Sequence, residues 1–291
     1  MGNKILLVIN PIAGGTDKEH VKKAVYKKAS ELQSEVQVFE TTGEEDGAAI
    51  RSLTDQEQFT RVLVAGGDGT ICEIAGAIKN KNLLLGILPC GSANGLALNL
   101  GIPDTLEGQL EIAFGKGYIT MDMLDINGHT CLHIADLGVN AALIKNYEAS
   151  DIRGKLGYLL QTIPTLATSN YPFQVTVKAN GEEVTGSAIL VAIANAQKFG
   201  TGANINPTGQ LNDGAFEVLL FKNFDIPEII KTFYGSVSHN PEFVTVLKTT
   251  AAVISTGLEI PFQVDGEYIG AKTTLKATMQ AEKLKVLAQI N

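Results

Sequence analysis

Gly66-Gly67-Asp68-Gly69-Thr70 follows a strand-like run, Arg61-Val62-Leu63-Val64-Ala65, and opens a helix-like run from Ile71 to Ile78. Glycines at 66, 67 and 69 let the main chain pass close to an anion and turn sharply, and the first amides of the following helix point at the same spot. Asp68 puts a carboxylate beside them. A carboxylate repels a polyphosphate, so its presence calls for a bridging metal ion or for a proton to be taken from an attacking hydroxyl. Phosphoryl transfer is the reaction that needs both. In isolation the pentapeptide also reads as a glycine-rich strand-to-helix turn with Asp68 as a helix cap.

Two further clusters share this chemistry. Asn10-Pro11-Ile12-Ala13-Gly14-Gly15 follows a strand from Lys4 to Ile9, and Pro89-Cys90-Gly91-Ser92-Ala93-Asn94-Gly95 follows one from Leu83 to Leu88. In an open parallel sheet such loops gather at the carboxyl ends of the strands, where ligands bind. Two familiar phosphate motifs are excluded. No Gly-x-x-x-x-Gly-Lys-Ser/Thr occurs, and Gly67-x-Gly69 is followed by Cys72 where a dinucleotide fingerprint requires glycine. A different nucleotide cradle remains.

The elements that must position these loops follow from periodicity. Val21, Ala24, Val25 and Leu32 recur at helical spacing after Asp17, as do Ile71, Ile74, Ala75 and Ile78 after Asp68. With strands at 4–9, 36–41, 61–65 and 83–88 they predict a parallel α/β layer. From about residue 122 the pattern changes, and turns such as Asn127-Gly128, Asn180-Gly181 and Asp213-Gly214 separate β-branched runs at 174–179, 187–194, 215–221 and 260–264. The expected fold is an α/β domain over 1–121 and a mostly antiparallel β-sandwich domain over 122–291, with the last strand free to pack back on the first domain. Helical inserts are predicted at 153–168 and 225–238.

Composition bounds the function classes. A chain of 291 residues can bury the cores of two ordinary domains. No apolar run reaches the roughly 18 residues that a spanning helix needs. Met1-Gly2-Asn3-Lys4 leads straight into a strand without an apolar signal region, which predicts a cytoplasmic protein. Cys72, Cys90 and Cys131 lack Cys-x-x-Cys spacing and read as buried structural thiols. The net charge of −8, without a basic, aromatic-interleaved stripe, argues against nucleic acid. Lys145, Arg153 and Lys155 form the one candidate for touching an anionic membrane, and they read equally as charges on a solvated loop. His129, Cys131 and His133 alternate as zinc ligands on one strand would, but three ligands from one short strand suit tetrahedral geometry poorly, so a half-buried strand is expected.

Taken in order, Asn-Pro-x-x-Gly, Gly-Gly-Asp-Gly-Thr, Pro-x-Gly-Ser-x-Asn and a late Asp-Gly-Glu resemble the soluble diacylglycerol kinase family, which includes bacterial lipid kinases and the sphingosine and ceramide kinases. The first half is also similar to NAD kinases and phosphofructokinases. The resemblance implies ATP and Mg2+ bound between the domains, with Asn10, Pro11, Gly14, Thr42, Gly66, Gly67, Gly69, Thr70, Ser92 and Asn94 holding the nucleotide. It implies Glu267, in Phe262-Gln263-Val264-Asp265-Gly266-Glu267, as general base on a lipid hydroxyl, and Asp122 as part of the acidic group; Asp68 is the second candidate for the base, since a hydroxyl needs a carboxylate to accept its proton, and Asp265 is a further catalytic candidate. It further implies a structural magnesium on the Gln210 carbonyl, the Asp213 side chain and the Ala215 carbonyl. By residue type alone these are a hairpin tip, a strand-end carboxylate and an Asn-Asp-Gly turn. Asn195 and Pro207 align with family positions without assignable chemistry.

Asn94-Gly95-Leu96-Ala97-Leu98 departs from the Asn-Asp-Phe-Ala-Arg of bacterial diacylglycerol kinases and looks like the sphingosine kinase version, whereas Asp151 to Tyr158 looks like the bacterial group. A sphingoid amine would want a nearby acid, and residues 137–144 contain none. The expected activity is therefore ATP-dependent phosphorylation of diacylglycerol or a related lipid, met transiently at the inner membrane face. A sphingoid-base kinase, an NAD kinase-like enzyme and a non-catalytic nucleotide-binding protein are the alternatives. A homodimer is left open.

Overall fold

Lys4–Ile9 is buried at every position after the first and forms β1, as expected of a parallel strand covered on both faces. In the computed structural model, which describes residues 3–148, 171–200, 202–223, 225, 228, 231 and 240–289, the chain divides into two units. The first comprises Met1–Met121 and Ala281–Asn291, the second Asp122–Gln280.

The first unit holds a six-stranded sheet. Next to β1 lie β2 (Glu35–Glu40) on one side and β3 (Arg61–Gly66) then β4 (Leu84–Pro89) on the other, all parallel. β5 (Tyr118–Met121) closes the far edge, and the chain's final strand, β16 (Leu284–Leu287), runs between β4 and β5. The connecting helices are α1 (Lys18–Glu31), α2 (Asp46–Gln56), α3 (Asp68–Ile78), α4 (Gly95–Asn99) and α5 (Leu106–Ala113). Asp17 starts α1 by accepting the amides of Glu19 and His20 at 3.0 and 3.2 Å, and Val21, Val25 and Ala29 form its buried stripe. Full burial of a side chain such as Val25 stabilises by about 1.5–3 kcal/mol, so a charge there would undo this docking.

In the second unit β6 (Leu124–Ile126), β7 (His129–Cys131), β8 (Ile134–Gly138), β9 (Phe173–Ala179), β10 (Glu182–Ala188), β11 (Leu190–Ala194), β12 (Phe216–Phe221), β13 (Val244–Thr249), β14 (Ala251–Val264) and β15 (Glu267–Met279) pair antiparallel. The predicted run 187–194 is two elements, the end of β10 and all of β11. β14 is far longer than the predicted 260–264. Its first half pairs β9 and its last residues pair β8, with a register irregularity between Ser255 and Ile260 where it changes partner. Asn127-Gly128, Asn180-Gly181 and Asp265-Gly266 each have two positive φ angles and join adjacent strands as type I′ hairpin turns.

α6 (Val139–Glu148) follows β8 directly. Apart from positions 225, 228 and 231, the predicted helical inserts at 153–168 and 225–238 lie outside the described residues, as do Arg153, Lys155 and the side chain of Lys145. No helix among the described residues is long and apolar enough to cross a membrane.

Candidate active site

Parallel register brings the three glycine loops out of the sheet side by side, because Ile9 pairs with Ala65 and Gly66 with Pro89. The Asn10 amide donates to the Ala65 carbonyl at 3.0 Å and the Cys90 amide to the Gly66 carbonyl at 2.9 Å. Asn10 then ties the first loop to α3, its Nδ2 donating to Thr70 Oγ1 at 2.8 Å while its Oδ1 accepts the Ile12 amide at 3.1 Å. The glycines are needed for the approach itself. A Cβ at Gly91 would stand 2.6 Å from the Gly67 Cα, and one at Gly14, which has a φ of +53°, would stand 2.2 Å from the Cys90 carbonyl oxygen. Ser92 and Pro11 are exposed on this surface, and Gly67 and Gly69 are half-buried beside the first turn of α3.

Asp68 is the first residue of α3, yet its carboxylate serves its neighbour. It accepts the Gly95 and Leu96 amides at 2.7 and 3.1 Å and so caps α4. The helix it opens has Gly67 at its own cap without a side-chain bond. Asn94, left-handed with a φ of 55°, uses its side chain within its own loop, accepting from the Gly91 amide at 2.8 Å and donating to the Gly91 carbonyl at 2.9 Å. It shapes the loop rather than offering that amide outward.

Thr42 is likewise engaged. Its amide and hydroxyl both donate to Asp46, with the Gly43 amide joining at 2.7 Å. Burial pushes the Asp46 carboxyl up, but the hydrogen bonds from Thr42 and Gly43 outweigh it and leave the group below its ordinary value. Asp46 is thus the residue that shapes the loop after β2, a role the sequence reading missed. The signal was a threonine four residues before the first helical acid, the spacing of a side chain that caps back onto a turn.

In the second unit Asp122 is buried and organises the 211–214 turn. Its amide donates to the Leu211 carbonyl at 2.7 Å and its Oδ2 accepts the Gly214 amide at 2.6 Å. Asn195, also buried, donates from one Nδ2 to the carbonyls of Asp122 and Leu132, which accounts for its presence structurally. Within the same turn Asp213 accepts the Ala215 amide at 3.1 Å and pairs with the Lys248 ammonium at 2.6 Å. Lys248 also lies 3.6 Å from the buried Glu217. The fit to a structural magnesium on Gln210, Asp213 and Ala215 is poor, since the only carboxylate of the set is neutralised by a lysine. Among the described residues no group of three or more His, Cys, Asp or Glu side chains could hold a metal ion.

The Asp-Gly-Glu turn separates its two acids. Asp265 is buried and accepts three successive amides, Leu132 at 2.7 Å, His133 at 2.9 Å and Ile134 at 3.0 Å, with the Cys131 thiol at 3.4 Å. That is the work of a clamp. Glu267, two residues on, is exposed at the start of β15. The thiol of Cys131 is pushed well up by burial and then by the Asp265 charge, which makes it an inert core group. His129 is exposed and His133 buried against the Lys198 carbonyl, so the alternating trio does not converge.

A parallel α/β unit with three converging glycine loops, joined to an antiparallel unit with a clamped acidic turn, defines a class. Residues 4–126 match the diacylglycerol kinase catalytic domain, and residues 134–288 match the YegS C-terminal NAD kinase beta sandwich-like domain. The chain belongs to this lipid kinase family. It is 27% identical over 232 residues to the lipid kinase YegS of Escherichia coli K12, covering 77% of each chain. Among solved structures it is similar in fold to a diacylglycerol kinase from Bacillus anthracis, at a TM-score of 0.76 and 17% identity over 99% of this chain and 97% of that one. An NAD kinase from Archaeoglobus fulgidus in complex with ATP shares the fold at a TM-score of 0.55 and 14% identity, over 98% and 93% of the two chains.

Proposed function

We propose that this protein transfers the γ-phosphoryl group of ATP to a hydroxyl of diacylglycerol or a related lipid. The observation that carries the reading is the close approach of the loops of Gly14, Gly67 and Gly91 beside the α3 N-terminus, where the lack of side chains lets a polyphosphate come near the main chain. Asn10 and Thr70 lock that surface, and Asp68 holds the third loop against it. Magnesium bound with the nucleotide would supply neutralisation of the charge that develops on the transferred group. Glu267 is assigned as general base. As the lipid oxygen bonds to the γ-phosphorus and the bond to the bridging oxygen of ADP breaks, the hydroxyl proton passes to the Glu267 carboxylate. The lipid would be met by transient contact at the inner face of the membrane.

A second reading, an NAD kinase-like enzyme, draws support from the fold shared with the Archaeoglobus enzyme. Labelled ATP offered with diacylglycerol, monoacylglycerol, phosphatidylglycerol, sphingosine, ceramide and NAD tests both. Transfer to a glycerolipid is expected, transfer to sphingosine alone would move the acceptor class, and transfer to NAD alone would overturn the lipid reading.

A further inference from the structure

We infer that Gln263, backed by the buried acid Asp136, is a positioning residue that holds the Asp265-Gly266 turn so that Glu267 is presented in one place. The inference rests on the reading of Glu267 as the base. Gln263 is 1% exposed, and its amide spans two elements. Oε1 accepts the Gly266 amide at 2.7 Å, while Nε2 donates to Asp136 Oδ2 at 2.5 Å and to the Ile134 carbonyl at 3.3 Å. The orientation of this amide is unambiguous, because a backbone N–H can only donate and therefore faces the oxygen. Asp136 is fully buried at β8 and is steadied by Asn140, whose Nδ2 donates to the same Oδ2 at 2.5 Å.

Such an anchor exceeds what a hairpin tip requires. The Asn127-Gly128 turn has the same backbone form and the same amide bond, Gly128 donating to Asp125 Oδ1 at 3.0 Å, but that bond is exposed, and the Asn127 and Asn180 side chains steady their turns at the surface. At Asp265-Gly266 three buried polar groups, Gln263, Asp136 and Asp265, are committed beneath an exposed turn. Burying them costs free energy that an apolar trio would not, so they select one geometry rather than add stability. A register irregularity between Phe262 and Gln263, opposite Gly270 at a φ of +106°, re-aims the strand at this point. Burial lifts the Asp136 carboxyl to about 7, which lets it sit in the core with little charge when protonated.

Double-mutant kinetics read the anchor through the residue it serves, using ATP and the best acceptor of the lipid panel. Gln263→Met removes donor and acceptor at similar volume, and is expected to lower kcat about tenfold or more with the KM for ATP changed by less than about twofold. In a Glu267→Gln background the same change should alter kcat by less than about threefold, because the base it positions is already gone. Multiplied losses, or Gln263→Met turning over like wild type, overturn the inference. Asp136→Asn keeps an oxygen for both donors and should stay near wild-type turnover, whereas Asp136→Leu should follow Gln263→Met. Amide hydrogen exchange in the unmodified protein gives a readout independent of activity and of variant folding. The Gly266 amide is expected to be protected like a buried strand amide, and free exchange there refutes the anchor. If Glu267→Gln itself keeps full turnover, it is the base assignment that fails, while Gly266 protection still reports on the anchor.

Discussion

The Asp68 carboxylate holds the Gly95 amide at 2.7 Å, so the acid in the second glycine loop is also the cap of the helix that leaves the third. Replacing it has two separable consequences. Asp68→Ala is expected to abolish phosphoryl transfer and to cost roughly 1 kcal/mol as a lost cap, lowering the melting temperature by about 2–4 °C with unfolding still cooperative. Asp68→Asn retains an oxygen for a cap amide but no charge. It should recover most of the lost melting temperature while staying inactive, and recovery of turnover would reduce Asp68 to a structural cap.

The parts of this protein legible in its sequence are those whose partners are local or whose environment is uniform. β1, β3 and β4 read as continuous apolar runs because both of their faces are buried, and the three type I′ turns read from Asn-Gly and Asp-Gly. α2 was not legible, since Asp46 and Ile50 are its only buried residues and leave almost no apolar stripe. β14 was hidden by Gly257 and Pro261, which it tolerates only because it changes partner there. The glycine loops could be found by type and spacing, whereas Gln263 meets Asp136 across 127 residues of chain and carries no local mark of its role. Asp265 stood beside Glu267 as a catalytic candidate, and only burial and three accepted amides mark it as a clamp.

Gly91 and Gly15 make a matched test of the loop contact. A methyl at Gly91 would collide with the Gly67 backbone, while one at Gly15 meets nothing within 4 Å. Gly91→Ala is therefore expected to raise the Kd for ATP by about tenfold or more through displacement of the third loop, and Gly15→Ala to leave the melting temperature unchanged. Equal ATP affinity in Gly91→Ala and wild type, measured by calorimetry, would show that the convergence of these loops does not form the nucleotide site.

Asp136 makes stability pH-dependent in a definite direction. Its folded carboxyl is raised from 3.8 to about 7 by burial, against which the hydrogen bonds from Asn140 and Gln263 act only in part. The protonated form is thus favoured by folding, and that contribution is fully present below the unfolded value and is lost as pH rises through about 7. Asp136→Asn cannot ionise. Its melting temperature relative to wild type should rise steadily between about pH 4 and pH 7 and then level off, and a constant difference across that range would place the carboxyl at an ordinary value.

The last expectation concerns magnesium at the Asn212-Asp213-Gly214 turn. Lys248 pairs with Asp213 at 2.6 Å and reaches towards Glu217 at 3.6 Å, so its ammonium already neutralises the one carboxylate of the Gln210, Asp213 and Ala215 set. The side-chain hydrogen bond with Asp213 holds the lysine above its ordinary value, so it stays charged at neutral pH and competes with any divalent ion. Glu217 is fixed from its other side by Asn206 Nδ2 at 2.8 Å and cannot easily turn away. Added magnesium, without nucleotide, is therefore expected to leave the melting temperature of the wild type unchanged. Lys248→Met removes the ammonium that both carboxylates share, which should lower the melting temperature in chelator and make it rise with added magnesium. Should magnesium instead stabilise the wild type, and should Asp213→Ala abolish that response, a divalent ion binds this turn alongside the lysine and the ammonium is not its replacement.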